Sequence, residues 1–376
     1  MTASTKPDLS FRLGHAAGSW DAATEACLEQ IGDSQGASLG FLYVADSLAD
    51  DLPSILAQLR RKTGITDWVG TVGMGVCAGR REYFDEPAVA VMTAALPRDS
   101  FRVVPPVSRD ADEVDAGTFE WIVAAQPRLG LIHCDPRNAD LAELIGDVAE
   151  RTSGFLVGGL SSSRGEMPQL ANTISEGGLS GVLFGAEVDV VTGLSQGCAP
   201  IGPVRTVTSS QENVVLTIDG RPALDVLRED MKELLARDPT APAYTVHVAL
   251  PIPGSDIGDY LVRNLVGIDP SMSAIGIGAL IDPGDRILFC RRDPQSAEGY
   301  LRRMLRDMRQ RLDGPPKGGV YVSCLARGPN LFGPGSHEMR IVAEELGDFP
   351  LVGFFANGEI SNNRLYGYTG VLTLFR

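Results

Sequence analysis

The residues most able to contact a small ligand stand near the C-terminus of the chain. Glu359 follows the dipeptide Asn357-Gly358, which interrupts an apolar stretch that begins at Leu351. An Asn-Gly pair favours left-handed backbone conformations, so the Glu359 carboxylate can face a pocket and accept hydrogen bonds from an ammonium group. The same dipeptide is the usual signal for a hairpin, and a glutamate beside it is most often solvated. Both interpretations remain open for Glu359.

A second candidate is the stretch of glycines and serines at 158–163. Gly158 and Gly159 leave backbone amides accessible, and the hydroxyls of Ser161 and Ser162 follow shortly after. Amide hydrogens and hydroxyls arranged in this way can hold a carboxylate or a phosphate. A flexible exposed loop has the same composition, so the stretch does not indicate a site by itself.

Cys324 and the charged residues that follow it form a third candidate. Arg327 stands three residues after Cys324, where a guanidinium would lower the pKa of the thiol and favour the reactive thiolate of a cysteine-dependent enzyme. A buried, unreactive thiol is the favoured alternative. Arg327 and Glu338 can also pair with each other or with Glu359, in a cluster that would hold the two charged ends of an amino acid. A structural ion pair competes with that hypothesis.

The histidines do not predict a metal site. They stand at 15, 133, 247 and 337, without the spacing of metal ligands. A single axial histidine is enough to bind haem, and His247, inside a predicted strand, is the candidate for that role. A histidine satisfied within the core is the favoured interpretation. We therefore expect no cofactor, with haem as the alternative.

Composition and charge exclude several classes of protein. The chain has 376 residues, 44% of them hydrophobic, and a formal net charge of −15. An acidic surface repels nucleic acid and anionic lipid, and no apolar run approaches the length of a membrane span. The six cysteines lie far apart, which argues against a disulfide framework or a zinc knuckle. These features predict a cytoplasmic protein that binds neither nucleic acid nor membrane.

Periodicity predicts an α/β fold built from units with the order strand, helix, strand, strand. The fold class is mixed α+β, with two related halves of two units each, in which mixed β-sheets are flanked by helices. The first strands of the four units are predicted at 40–46, 130–135, 244–249 and 319–324. In the irregular third unit the helix is predicted at 257–266. A glycine in the second strand follows the first strand's opening glycine by 30 residues in the first unit (Gly40 to Gly70) and by 28 in the second (Gly130 to Gly158), which indicates an internal repeat.

Polar and proline-rich stretches separate the units. We expect a flexible lead-in at 1–20, an acidic connection rich in proline at 97–115, and a seam between the halves at 188–203. The predicted domains are therefore 21–203 and 204–376.

Four motifs give the sequence a specific resemblance to the FIST family, in which a FIST N domain precedes a FIST C domain. These motifs are Val157-Gly158-Gly159-Leu160-Ser161-Ser162, Gly197-Cys198-Ala199-Pro200-Ile201-Gly202, Ser323-Cys324-Leu325-Ala326-Arg327-Gly328 and Gly353-Phe354-Phe355-Ala356-Asn357-Gly358-Glu359-Ile360. The resemblance implies a sensory protein of signal transduction that binds a small ligand such as an amino acid and is not an enzyme. It also implies haem binding and nitric oxide sensing in some members, and a signalling protein as a possible partner.

The candidate ligand-binding residues follow from these motifs and from the glutamate between the last two. They are Gly159, Ser161, Ser162, Cys198, Cys324, Arg327, Glu338, Asn357, Gly358 and Glu359.

Overall fold

The computed structural model describes residues 9–152, 154–237, 246–252 and 259–376. The chain divides into two compact units: the first combines the described residues up to Ser195 with Glu298–Arg376, and the second comprises Gln196–Ala297. This division is spatial, whereas the predicted domains 21–203 and 204–376 follow the order of the chain; they remain a prediction. No helix in the described residues is long and apolar enough to cross a membrane.

The first unit contains three six-stranded sheets. Strands and helices are numbered in chain order. The first sheet has the order β1 Ser10–Ala17, β6 Ala88–Ala95, β2 Leu39–Ala45, β3 Asp67–Gly73, β10 Gln169–Ala171, β11 Thr173–Ser175. The second has the order β7 Phe101–Val107, β12 Leu179–Phe184, β8 Leu129–Cys134, β9 Phe155–Leu160, β25 Glu359–Ser361, β26 Arg364–Tyr366. The third has the order β13 Val190–Ser195, β27 Gly370–Phe375, β23 Gly318–Cys324, β24 Leu351–Ala356, β4 Gly75–Ala78, β5 Arg81–Phe84.

The three sheets correspond strand by strand. In each, the third and fourth strands in the order given are parallel (β2 with β3, β8 with β9, β23 with β24), and the other neighbours are antiparallel. The last two strands of each sheet form a hairpin that belongs, in chain order, to another sheet. Hairpin β4–β5 follows β3 but pairs with β24, β10–β11 follows β9 but pairs with β3, and β25–β26 follows β24 but pairs with β9. The exchange ties the three sheets together.

Helices cover the outer faces of these sheets, and the inner faces share one core. The helices are α1 Trp20–Ile31, α2 Leu52–Thr63, α3 Ala116–Ala125, α4 Leu141–Thr152, α6 Pro294–Gln310, α7 Pro329–Phe332 and α8 His337–Leu346. The shared core takes residues from all three sheets, for example Phe41, Val157 and Phe354, while a separate apolar cluster lies under the helices of each sheet. Burial of alternate strand residues on two different faces is what the near-continuous apolar strands predict.

The predicted helical stripes are confirmed where they determine packing. Leu52, Ile55, Leu56 and Leu59 are all buried on α2, which ends at Gly64 in a left-handed conformation. Met339, Val342, Ala343 and Leu346 are likewise buried on α8. Residues at i, i+3, i+4 and i+7 share one helical face, so the spacing alone identified the side that meets the sheet.

The described residues of the second unit form a sheet of nine antiparallel strands with one helix, α5 Ala223–Arg237. The strands are β14 Cys198–Pro200, β15 Arg205–Gln211, β16 Val214–Ile218, β17 Arg221–Pro222, β18 Val246–Pro251, β19 Tyr260–Arg263, β20 Leu265–Asp269, β21 Ala274–Ile277 and β22 Arg286–Arg292. Their main path runs β19-β18-β22-β15-β16-β21-β20, and β14 and β17 pair beside β22 and β16. The core of this unit lies between the sheet and the buried face of α5.

The mixed α/β prediction is confirmed, but several of its details are wrong. The connection predicted at 97–115 contains strand β7, and the seam predicted at 188–203 contains strand β13. The helix predicted at 257–266 is wrong because Tyr260–Arg263 and Leu265–Asp269 are strands; residues 253–258 lie outside the described part of the chain. The flexible lead-in predicted at 1–20 is wrong for Ser10–Ala17, which pair along their whole length with β6. Residues 244 and 245 of the predicted third-unit strand also lie outside the described part.

A glycine stands at the same place in the second parallel strand of each sheet. A Cβ atom there would lie within 1.9 Å of a carbonyl oxygen on the neighbouring strand, that of Leu42 at Gly70, of Ile132 at Gly158 and of Tyr321 at Gly353. No side chain fits at that separation. The repeated glycines noted in the sequence therefore mark the closest approach of two parallel strands in each sheet.

We expect Gly158→Ala to lower the free energy of unfolding by about 3 kcal/mol or more, since its Cβ would overlap backbone at a φ of 139° that alanine rarely adopts. Gly146→Ala is the matched control, because it lies in α4 and its Cβ meets nothing within 4 Å. That control is expected to be neutral or slightly stabilising. Denaturant titration of both variants gives the comparison, and equal stabilities would contradict the assignment of Gly158 to a close strand approach.

Candidate functional site

Arg327 and Glu338 form a fully buried ion pair beside the carboxyl end of β23. The Nε and Nη2 atoms of Arg327 each lie 2.8 Å from Oε1 of Glu338, and both side chains are inaccessible to solvent. Nη1 donates to the backbone oxygen of Ser195 at 3.3 Å, and the guanidinium lies 5.0 Å from the ring centre of Phe332. Burial alone would lower the pKa of Arg327, but the charge of Glu338 holds it above its ordinary value. Arg327 therefore stays charged within the protein.

Strand alternation supplies the other partners of Glu338. Val320 and Val322 face the shared core, whereas Tyr321 and Ser323 on the same strand face α8. The Tyr321 hydroxyl donates to Oε1 of Glu338 at 2.7 Å, and the Ser323 hydroxyl lies 3.1 Å from both carboxylate oxygens. Glu338 also lies in the first turn of α8, where the helix dipole favours a negative charge. Every oxygen of this carboxylate is satisfied.

Glu359 is fully buried at the start of β25. Its Oε2 accepts hydrogen bonds from the backbone amide of Thr369 at 2.9 Å and from the Thr369 hydroxyl at 2.7 Å. Its Oε1 has no hydrogen-bond partner among the described residues. Burial raises the pKa of Glu359 to about 7, against the opposing effects of Thr369, Cys324 and Arg327. Of the two interpretations left open for Glu359, the solvated one is therefore wrong. With a pKa of about 7, the carboxyl is present in both protonation states at neutral pH.

The Cys324 thiol lies beside Glu359 and is not activated. The backbone amide of Tyr368 donates to its sulfur at 3.3 Å. Burial and the charge of Glu359 raise the pKa of Cys324 well above its ordinary value. The expectation that Arg327 lowers this pKa is wrong, because the guanidinium is bound to Glu338. Cys324 is thus the buried thiol that the sequence analysis favoured.

Glu82 brings a third buried carboxyl to this region from hairpin β4–β5. Its Oε1 accepts from the amide of Met339 in α8 at 3.1 Å, and its Oε2 has no hydrogen-bond partner among the described residues. Burial, followed by the charge of Glu338, raises the pKa of Glu82 to about 7. Glu82 interacts electrostatically with Glu338, and Glu359 interacts with Arg327, the buried guanidinium of this group. Glu82 and Glu359 therefore bind protons more readily than an ordinary carboxyl.

Ser161 and Ser162 are buried and serve to join the sheets. The Ser161 hydroxyl lies 2.6 Å from that of Thr71 in β3 and accepts from the Gln169 amide at 3.0 Å. The Ser162 hydroxyl accepts from the amide of Met74 and donates to the carbonyl oxygen of Phe355 in β24. Both hydroxyls are used by the protein itself, so the anion cradle predicted here already has internal partners.

Asn357 and Gly358 mark the point where the chain passes from the third sheet to the second. β24 ends at Ala356, and β25 begins at Glu359 beside β9, so the dipeptide is not a hairpin turn. Gly358 has a φ of 134°, and Asn357 is exposed. Gly159 pairs directly with Glu359, where a larger residue would collide with the Val322 side chain. Asn357, Gly358 and Gly159 therefore determine the position of Glu359 beside β9.

Comparison with known proteins places this architecture in a family. The FIST N domain matches residues 38–221, and the FIST C domain matches residues 223–362. The chain belongs to the FIST family. It is similar to "Uncharacterized protein Rv0628c" of Mycobacterium tuberculosis, with 34% identity over 377 residues that cover 94% of this chain and 95% of the relative. It is also similar to "Uncharacterized protein Mb0898c" of Mycobacterium bovis, with 28% identity over 392 residues that cover 97% of this chain and 99% of the relative.

Two further candidates of this FIST protein lie in the second unit. Cys198, in β14, is buried, and its thiol is a hydrogen-bond neighbour of Cys290. His247, in β18, stands opposite Cys290, and burial, together with Arg292, lowers its pKa to about 4. The neutral imidazole suits axial ligation of haem iron, but the ring lies nearly buried within the sheet, where a porphyrin would have to displace its packed neighbours. The described residues of this unit therefore fit haem poorly.

Among the described residues, neither the surroundings of Glu359 nor the second unit brings metal ligands together. Within the described residues, no group of three or more histidine, cysteine, aspartate or glutamate side chains could hold a metal ion.

The sequence analysis missed four residues that contact or interact with the candidate residues: Tyr321, Ser323, Glu82 and Thr369. The sequence could have identified Tyr321 and Ser323, because two polar residues that alternate within an apolar strand share one of its faces. No sequence pattern identified Glu82, because its hairpin pairs with β24, a strand that lies far away in the sequence.

The pH dependence of stability tests the burial of Glu359. A carboxyl whose pKa is raised from 4.5 to about 7 on folding binds more protons in the folded state between these values, so its contribution to stability falls as the pH rises through that range. We expect Glu359→Gln to gain stability relative to wild type between pH 5 and pH 8, with a slope of up to about 1.4 kcal/mol per pH unit.

The control for that titration is Glu143→Gln, an exposed residue of α4. Its difference from wild type is expected to stay constant across the same range. Parallel curves for wild type and Glu359→Gln in denaturant titrations would contradict the raised pKa of Glu359.

Proposed function

We propose that this FIST protein is a cytoplasmic sensory protein of signal transduction that binds an amino acid or a similar small metabolite and has no catalytic activity. The observation that carries the proposal is the unpartnered Oε1 of Glu359, fully buried among the described residues. A buried carboxylate oxygen without a hydrogen bond is costly, and a ligand ammonium would remove that cost. The role of Glu359 is therefore to recognise a positively charged group.

The ligand is held by its amine and not by a clamp at both ends. One hypothesis placed Arg327 in a cluster that holds both charged ends of an amino acid, but its guanidinium already contacts Glu338 and Ser195. Releasing it would leave the Glu338 carboxylate buried without its charge partner, which costs several kcal/mol. The ammonium is thus the common element of the ligand class we propose, which includes amino acids and small amines.

The loop at 367–369, between β26 and β27, lies against Glu359. The amide and hydroxyl of Thr369 cover one carboxylate oxygen, and the amide of Tyr368 covers the neighbouring Cys324 sulfur. Tyr368 has a φ of 65°, a conformation that is uncommon for a tyrosine. Because Glu359 is inaccessible to solvent, a ligand reaches Oε1 only when neighbouring residues move. Displacement of this loop would be a suitable signal for the signalling partner that we expect to read it.

A cysteine-dependent enzyme and a haem sensor are weaker alternatives. The raised pKa of the Cys324 thiol disfavours the thiolate that such an enzyme requires. For haem, His247 offers a neutral ring in a nearly buried position. Neither alternative rests on an observation as specific as the free oxygen of Glu359.

Isothermal titration calorimetry tests the proposal with the common amino acids and with the amines that lack their carboxylate. We expect binding at pH 8 to be about ten-fold tighter than at pH 6, because an ammonium requires the ionised form of Glu359, whose pKa is about 7. Glu359→Gln should weaken binding by about ten-fold or more.

Glu82→Gln is the matched control, because it also removes a buried carboxyl with a raised pKa but leaves Glu359 intact. It should retain binding and the same pH dependence. Absence of heat for every amino acid and amine, or equal affinities of wild type and Glu359→Gln, would contradict the proposed role of Glu359.

A further inference from the structure

A cavity of about 490 Å³ lies in the first unit at the amino ends of β8 and β9. Leu129 and Phe155, the first residues of these strands, form part of its wall together with Val188 and Val190. Leu129 and Val188 are buried, and the other two are half-buried. The volume lies in the range of sites for small organic molecules.

Charged residues also belong to the lining of this cavity. Arg128, Arg311, Glu187 and Asp189 are all among the lining residues. Asp189 forms an ion pair with Arg376 at 3.5 Å, which neutralises it. Arg311 donates to the backbone oxygen of Thr192 at 3.2 Å but has no carboxylate partner among the described residues.

The lining residues therefore include two guanidiniums and one carboxylate without an ion-pair partner among the described residues. The side chains of Arg128 and Glu187 are exposed and make no hydrogen bond or ion pair within the described part of the chain. Arg128 and Arg311 together carry one positive charge more than Glu187 balances. A ligand with a single negative charge would neutralise the lining, while Glu187 would repel a second negative charge on the same ligand.

We propose that this cavity is a second ligand site, which binds a small organic monocarboxylate with an apolar body. The apolar body packs against Phe155 and Val190, and Arg128 forms a charge-assisted hydrogen bond with the carboxylate. The site is separate from that of Glu359. Phe155 is the first residue of β9, and Gly159, which pairs with Glu359, is four residues further along the strand, on the order of 13 Å away.

Three probes separate the contributions of the apolar body, of one negative charge and of a second one. They are phenylacetate, its neutral amide phenylacetamide and the dicarboxylate glutarate. We expect saturation-transfer difference NMR and calorimetry to detect binding of phenylacetate and much weaker binding of the other two. Arg128→Gln should weaken phenylacetate binding by about ten-fold, because it removes the charge-assisted hydrogen bond. Glu187→Gln should strengthen phenylacetate binding and raise the affinity for glutarate.

Arg61→Gln is the control, because it removes one exposed positive charge from α2, outside the cavity lining. It should leave phenylacetate binding unchanged, as should Glu359→Gln, so failure at one site is distinguishable from failure at the other. Equal binding of phenylacetate and phenylacetamide, or equal affinities of wild type and Arg128→Gln, would overturn the assignment. Absence of phenylacetate binding to the wild-type protein would overturn it as well.

Discussion

The buried ion pair between Arg327 and Glu338 determines the electrostatics of the candidate site. Removing both charges from water costs several kcal/mol, and only good geometry with additional hydrogen bonds offsets that cost. Here Tyr321, Ser323 and the amide of Gly328 complete the shell of Glu338. Because the pair is satisfied internally, Arg327 neutralises Glu338 and leaves little charge for any other carboxyl nearby.

This distribution of charge leaves Glu359 with a raised pKa, the property on which the proposed binding of a cation depends. With Arg327 committed to Glu338, burial decides the protonation of Glu359 and Glu82, and both have a pKa of about 7. A carboxyl of this kind changes its charge when a cation arrives, so ligand binding and proton release are coupled. The proposal of a small-ligand sensor rests on the family assignment and on the geometry of Glu359 together.

The sequence predicted the central elements of each sheet because they are buried on both faces. Near-continuous apolar strands and stripes at i, i+3, i+4 and i+7 leave few alternatives to a strand and a packed helix. Three strands that the sequence analysis took for a lead-in, a connection and a seam occupy the same place in their sheets: β1, β7 and β13 are each the outermost strand on one side. An edge strand tolerates proline and polar residues, so its pattern resembles that of a loop.

The candidate site was predicted in part for a related reason. Arg327, Glu338 and Glu359 lie in strand ends and a helix start that the motifs identified, and the structure brings them together. Glu82 and the covering contact from Thr369 depend on hairpins and loops that join different sheets, and no local pattern encodes such an exchange. Of the two interpretations that the sequence left open for Arg327, the structure shows the ion pair with Glu338. Its further bond to Ser195, which lies 132 residues away in the chain, had no local signal.

A double-mutant cycle on Arg327 and Glu338 tests the central claim most directly. Denaturant titration would give the free energies of unfolding of wild type, Arg327→Met, Glu338→Gln and the double variant. The account predicts that Arg327→Met alone costs about 3 to 5 kcal/mol, because Glu338 is left buried without its partner, and that the double variant recovers a large part of this loss. Single costs below about 1 kcal/mol that simply add in the double variant would contradict it.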